Sequence, residues 1–246
     1  MNKLNIMPAL TYNLRQSMRG ALWFAGSVAA IMLGLIVLQA AVIDGVISTT
    51  FSGLEFGGFI TCFIIGIVSI RESLRLFLQN GISRRTVAVS FFLDSIAMSL
   101  AFAIAGSILL AIFGRIVTAM DINASLINTY SMFIENDTNT RTVIHSMSSM
   151  LFSFTIYFLA MHLGQLISLI YYRLNRLFKV LVSILGGMLL FIGFPLNLLR
   201  FDIVLTKSFI DWLISGPGPV MLVFVVMAIV FSLLAWLLIR RAPLDR

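Results

Sequence analysis

Six runs of mostly apolar residues take up most of this chain. Each is close to the roughly 20 residues a helix needs to cross the hydrocarbon core of a bilayer. They cover residues 22–43, 50–70, 87–113, 143–172, 180–199 and 220–239. None alternates with the period of two that marks a membrane barrel strand. The expectation is helices, which satisfy their own backbone hydrogen bonds in lipid. The second run is the least clean, because Glu55 lies near its start. Composition agrees: hydrophobic residues make up 60% of the 246 and charged residues 11%, where soluble domains hold about a quarter charged. The predicted fold is an all-α polytopic membrane protein, one domain over residues 1–246 with six transmembrane helices. No repeat or linker divides it.

Six spans return both termini to one side, and charge selects the side. Thirteen of the 17 Lys and Arg lie at the two ends and in the connections around residues 71–86 and 173–179. Only Arg115, Arg141, Arg200 and Lys207 fall opposite. The bias of basic residues toward the cytoplasmic face puts both termini inside. Asp44, Glu55, Asp121, Glu135, Asp137, Asp202 and Asp211 lie on the other side. The formal net charge of +7 then reflects topology and an anionic inner leaflet rather than nucleic-acid binding.

Residues 1–21 do not read as a secretory pattern, because Pro8 and a polar run interrupt the place of an apolar core. Leu4, Met7, Thr11, Leu14 and Met18 recur at helical spacing with Lys3, Arg15 and Arg19 around them. That pattern predicts an amphipathic helix in the inner membrane interface. Cys62 is the single cysteine, so no disulfide forms within the chain. The longest outer connection, residues 114–142, contains the sequon Asn136-Asp137-Thr138, a short pattern common by chance. In the last one, residues 209–215 read as a short helix ended by Gly216 and Pro217.

Between the second and third runs the chain reads "LRLFLQNGISRRTV". Ile70, Leu74, Phe77 and Leu78 continue a helical apolar stripe, and Glu72 precedes Arg75 by three residues, close enough for a surface pair. Asn80-Gly81 supplies the left-handed residue that ends many helices, and Ser83 is placed to cap the next. Arg84 and Arg85 are poorly placed for the helix dipole but well placed for lipid phosphates. Two readings fit: a basic hairpin obeying the charge rule, or a rigid elbow on which a cytoplasmic partner docks.

Catalytic signatures are missing. There is no Gly-x-x-x-x-Gly-Lys-Ser/Thr phosphate loop and no His-Glu-x-x-His zinc motif. The only Gly-x-Ser, at Gly81–Ser83, is far in depth from His145, which argues against a serine intramembrane protease. Only Asp94 lies well inside a run, where an aspartyl protease needs two such residues. An intramembrane carboxylate faces protein or water. Asp94 is expected to bond neighbouring serines or an inner-face arginine; the other reading is a proton or cation site. In the fourth run Ser148, Thr155 and His162 recur every seven residues, with His145, Ser149, Gln165 and Ser168 close by. Such a stripe packs helices together or lines a solute path.

This layout resembles the permease subunits of ABC-2-type ATP-binding cassette exporters, the type V exporter architecture. The likeness covers essentially the whole chain and includes one short motif, the "NG(I/V)SR+T" elbow, matched by Asn80, Gly81, Ile82, Ser83, Arg84 and Thr86. It implies two six-span subunits, as a homodimer or heterodimer, each docked on a separate ATPase that binds ATP and magnesium. This chain then carries no cofactor and hydrolyses nothing. It also implies that Leu74, Phe77, Leu78, Gly81, Arg84 and Arg85 couple to the ATPase. Spans two and five, prominent at the dimer interface, would bring Phe59, Phe63, Phe191 and Phe194 to the substrate path. The implied location is a bacterial inner membrane, and the implied cargo an amphipathic or antimicrobial peptide, a peptide toxin or a lipophilic drug. An ion- or proton-coupled secondary transporter is the alternative.

Overall fold

The computed structural model describes residues 6–42, 49–51, 54–119, 124–126, 130, 143–174, 179, 211–213 and 215–240, nearly all of them helical. The order is α1 (Ile6–Val42), β1 (Thr49–Phe51), α2 (Leu54–Gln79), α3 (Arg84–Ala119), β2 (Ala124–Leu126), α4 (Val143–Arg173) and α5 (Pro217–Arg240). Among the described residues, four helices are long and apolar enough to cross a membrane, namely α1, α3, α4 and α5. The second expected span falls in α2, which is not one of the four. The fifth, residues 180–199, lies outside the described residues.

At its amino end the structure departs from expectation. The interfacial segment and the first span form one unbroken helix of 37 residues, about 55 Å long at 1.5 Å per residue. Pro8 sits in its first turn, where a missing N–H breaks no helical bond. Met7, Thr11 and Met18 of the expected stripe are exposed, whereas the polar residues Asn13 and Ser17 are buried. The helical period was legible, but its polar face turns inward, because α3 offers polar partners there.

The helix α4 forms the centre: 61% of its apolar window is buried, against 6% for α1. Its tightest neighbour is α2. A Cβ on Gly66 would run into the Met161 carbonyl oxygen, and one on Gly164 into the Phe63 carbonyl oxygen. Glycine at both positions lets the two backbones touch, the device by which helices associate where lipid removes any hydrophobic drive. One turn pair further, Gly58 leaves room for the Tyr157 ring.

Two further differences concern helix starts. Thr50 and Phe51, read as the head of span two, lie instead in a strand (Thr49–Phe51) parallel to Ala124–Leu126, with Thr50 opposite Ser125. β-branched and aromatic residues favour that extended form. The helix α2 then begins at Leu54 and carries Glu55 in its first turn, where a carboxylate complements the dipole. Residues 211–213 are helical and Ser215 turns back on the Trp212 carbonyl. Pro217 opens α5 rather than merely ending the preceding piece, since its fixed φ suits a first helical position.

At one end of the bundle a single apolar cluster collects Ala9, Ile70, Leu74, Phe77, Val87, Phe91, Leu169, Ala235 and Ile239. All five helices contribute. The segments that the basic bias assigned to one side therefore meet at one end. Phe113 and Val117 pack with Ala29 and Met32 in a separate cluster further along α1 and α3.

Candidate functional site

The turn between α2 and α3 is built as its sequence implies. Gly81 has φ of 72°, in the left-handed region. The Ile82 N–H donates to the Phe77 carbonyl at 3.0 Å and the Gly81 N–H to the Leu78 carbonyl at 3.2 Å. These paired bonds satisfy carbonyls that the ending helix leaves open, and Ile82 packs on the cluster containing Phe77. Two residues after Gly81, Ser83 caps α3, its Oγ accepting from the Thr86 N–H at 3.2 Å. Arg84 then reaches across and donates to the Arg240 carbonyl at 2.6 Å. A guanidinium at the open carbonyls of α5 is favoured by both hydrogen bonding and dipole. Arg84 fastens the elbow to the last helix.

The same turn shows where the expected docking stripe lies. Leu74 and Phe77 are 1% and 2% exposed, and Leu78 is half-buried against the same cluster. Tyr12 of α1 meets the Phe77 ring edge-on at 5.7 Å. The stripe meant for a partner is core of this chain, because α1 and α5 close over it. Arg75, Leu76, Gln79, Asn80, Gly81 and Arg85 are the exposed face of the elbow. The side chain of Glu72 lies outside the described residues, so its expected pairing with Arg75 does too.

The other constellation is a buried polar network. Two residues of α1 face two of α3 at matching spacing: Asn13 Nδ2 donates to Ser90 Oγ at 3.5 Å, and Ser17 Oγ donates to Asp94 Oδ2 at 3.1 Å. Both pairs are 77 residues apart, so the two helices run in the same direction. Ser73 on α2 donates to Gln16 Oε1 at 3.3 Å. Asp94 is wholly buried about 15 Å along α3 from Arg84. Its expected serine partner exists, but comes from α1 rather than from a neighbouring span turn, and its Oδ1 has no partner among the described residues. Asn13 Oδ1 is likewise unpartnered. Sequence reasoning passed over Asn13 and Ser17; the signal was an i, i+4 polar pair matching Ser90 and Asp94.

The polar stripe of the fourth run joins helices. Gln165 Nε2 donates to Ser95 Oγ at 2.8 Å, His162 Nδ1 lies 3.1 Å from Gln165 Oε1, and Ser168 Oγ donates to the Ile67 carbonyl at 2.9 Å. Thr155 bonds the Phe152 carbonyl of its own helix. The side chain of His145 lies outside the described residues. Phe59 and Phe63 are half-buried against the cluster around Cys62 and Met161. Phe191 and Phe194 are outside the described residues. Among the described residues no group of three His, Cys, Asp or Glu is placed to hold a metal ion.

No family model matches this chain, and neither does any curated protein or solved structure.

Proposed function

We propose that this chain is the membrane subunit of an ATP-driven exporter, with both termini and the α2–α3 elbow in the cytoplasm, and with α2 and residues 180–199 supplying the second and fifth of six spans. The observation that carries the reading is the elbow. A helix end locked by two backbone bonds, a capped helix start and an arginine clasp to α5 make a rigid corner at the basic end of a greasy bundle. A rigid corner transmits force; a loose hairpin dissipates it. The chain lacks a phosphate loop, so the ATPase is a separate polypeptide. Its contact falls on the exposed face of Arg75, Leu76, Gln79, Asn80 and Arg85 rather than on Phe77. The cargo is an amphipathic peptide or lipophilic drug, which Phe59, Phe63, Phe191 and Phe194 on the spans implied to line the path would suit.

The test is purification of the tagged chain from its native host in mild detergent. Co-purification of a phosphate-loop ATPase encoded beside it, and loss of that partner on charge reversal at Arg75 and Arg85, is the expected result. If no ATPase accompanies the full-length chain, the exporter reading fails.

Asp94 supports a second reading, a proton- or cation-coupled carrier. Oδ1 is the position at which such an ion would be held, since it is buried and has no donor among the described residues. Loss of transport in a well-folded Asp94→Asn protein would favour it.

A further inference from the structure

The bonds from Asn13 to Ser90 and from Ser17 to Asp94 fix how far along the bundle each residue of α1 lies. By the same offset Arg15 is level with Phe92 and Arg19 with Ile96. At 1.5 Å per residue these levels are about 12 Å and about 18 Å further along the bundle than Arg84. Both arginines are exposed, one turn apart on one face of α1. Among the described residues neither has a hydrogen-bond or ion-pair partner. Trp23 continues that face one turn on and is 83% exposed.

The flank formed by α5 shows what this depth means. There Leu233, Trp236 and Leu237 stay exposed to within a turn of Arg240, which Arg84 clasps. Lipid tails on that side reach almost to the level of Arg84, and half a hydrocarbon core is only about 15 Å deep. Arg19 therefore stands where a bare guanidinium facing lipid is costly. Side chains of a helix lean toward its amino end, which in α1 is the elbow end, so the two guanidiniums step toward the headgroups. Beyond them, Arg19, Leu22, Trp23, Gly26 and Ser27 line a concavity of about 580 Å³ on the outer face of α1. A Cβ on Gly26 would meet nothing within 4 Å there. A cationic end followed by a mostly apolar floor matches the order of phosphate and acyl chain in a phospholipid.

We propose that this face binds an anionic phospholipid of the leaflet at the elbow end, its phosphate shared by Arg15 and Arg19 and an acyl chain lying over Leu22, Trp23 and Gly26. The headgroup then sits deeper than its neighbours, and the leaflet thins beside α1. Arginine suits the role because its planar fork offers paired donors to phosphate oxygens. A partner helix with a carboxylate would also satisfy the arginines, but it gives no reason for Trp23, an amphipathic ring that favours the boundary between headgroups and tails. The inference does not rest on the exporter reading; it needs only α1 in a bilayer.

The test uses the full chain with Trp212→Phe and Trp236→Phe, which leaves Trp23 alone of the three tryptophans. It is reconstituted in vesicles of phosphatidylcholine and phosphatidylglycerol, with bromine on the chains of one lipid or the other to quench the indole it touches. Brominated phosphatidylglycerol is expected to compete for the Trp23 site about tenfold better than brominated phosphatidylcholine. Arg15→Gln with Arg19→Gln should make the two lipids equal. The reverse background, with Trp23→Phe and Trp236 retained, should show no preference. Millimolar inorganic phosphate should leave the preference intact; its loss would assign the site to a soluble anion and overturn the lipid. Equal quenching with both arginines present would overturn the proposal, and so would a Trp23 that neither lipid quenches, which would put protein on this face. If the tryptophan variants fail to fold, native mass spectrometry of the unmodified chain decides. Phosphatidylglycerol adducts that do not outlast phosphatidylcholine adducts would then sink the idea.

Discussion

Ser17 on the first helix donates a hydrogen bond of 3.1 Å to the Oδ2 of Asp94 on the third, joining two segments 77 residues apart in the bundle interior. The pair ties the amino-terminal part of α1 into the bundle. A buried carboxylate that loses its donor keeps its desolvation cost, about 1–3 kcal/mol or more. Ser17→Ala is therefore expected to lower stability by that order, measured by thermal unfolding in detergent. Asp94→Asn retains an acceptor for Ser17 and should unfold closer to the original protein than Asp94→Leu does. A double-mutant cycle of Ser17→Ala with Asp94→Asn should show coupling of at least about 0.5 kcal/mol. Additivity would mean that the bond contributes nothing.

The α2–α4 contact gives a second expectation. Gly66→Ala and Gly164→Ala each drive a methyl into a backbone carbonyl that cannot rotate away. Each should reduce the yield of folded protein severely, as overpacking at a backbone crossing costs about 1–3 kcal/mol or more. Gly26→Ala meets nothing within 4 Å and serves as the control. Size-exclusion profiles in detergent distinguish them; three indistinguishable profiles would contradict the crossing.

Phe77 and Arg85 should separate stability from coupling. Phe77→Ala empties part of the inner apolar cluster and is expected to cost about 3–5 kcal/mol of stability. Arg85→Glu changes an exposed side chain and should leave unfolding within about 0.5 kcal/mol. On the exporter reading Arg85→Glu nevertheless reduces ATPase association, assayed by co-purification. A stable, well-folded Phe77→Ala protein would show that the cluster is not formed as described.

Gly81→Ala places a side chain at φ of 72° with open space around it, so the penalty is conformational only, about 1 kcal/mol. Gly81→Asn should cost less, since asparagine tolerates that region. Urea or thermal midpoints of the two variants decide the order. Reversal of that order would argue that the turn is not left-handed.

Sidedness is testable with single cysteines once buried Cys62 is replaced by alanine. A cysteine at exposed residue 80 is expected to label only from the cytoplasm, and one at residue 137 only from outside. The basis is the thirteen-to-four division of basic residues. Labelling of residue 80 in intact cells would reverse the topology and remove the elbow from reach of any cytoplasmic ATPase.

The sequence by itself determined much of the local structure. The helical runs follow from length and hydropathy, because a backbone in lipid has no other solution than to bond itself. The Asn80-Gly81 stop and the Ser83 cap follow from conformational preference and a side-chain oxygen at the right offset, both of which are local properties. What a residue faces is not local. Leu74 and Phe77 form the same stripe whether a partner or this chain covers it, and only the approach of α1 and α5 decided for the chain. Asn13 and Ser17 look interfacial until Ser90 and Asp94 arrive opposite them. The Gly66–Gly164 crossing and the bond from Gln165 to Ser95 likewise exist only when separate helices meet, since each depends on distances that no stretch of sequence contains.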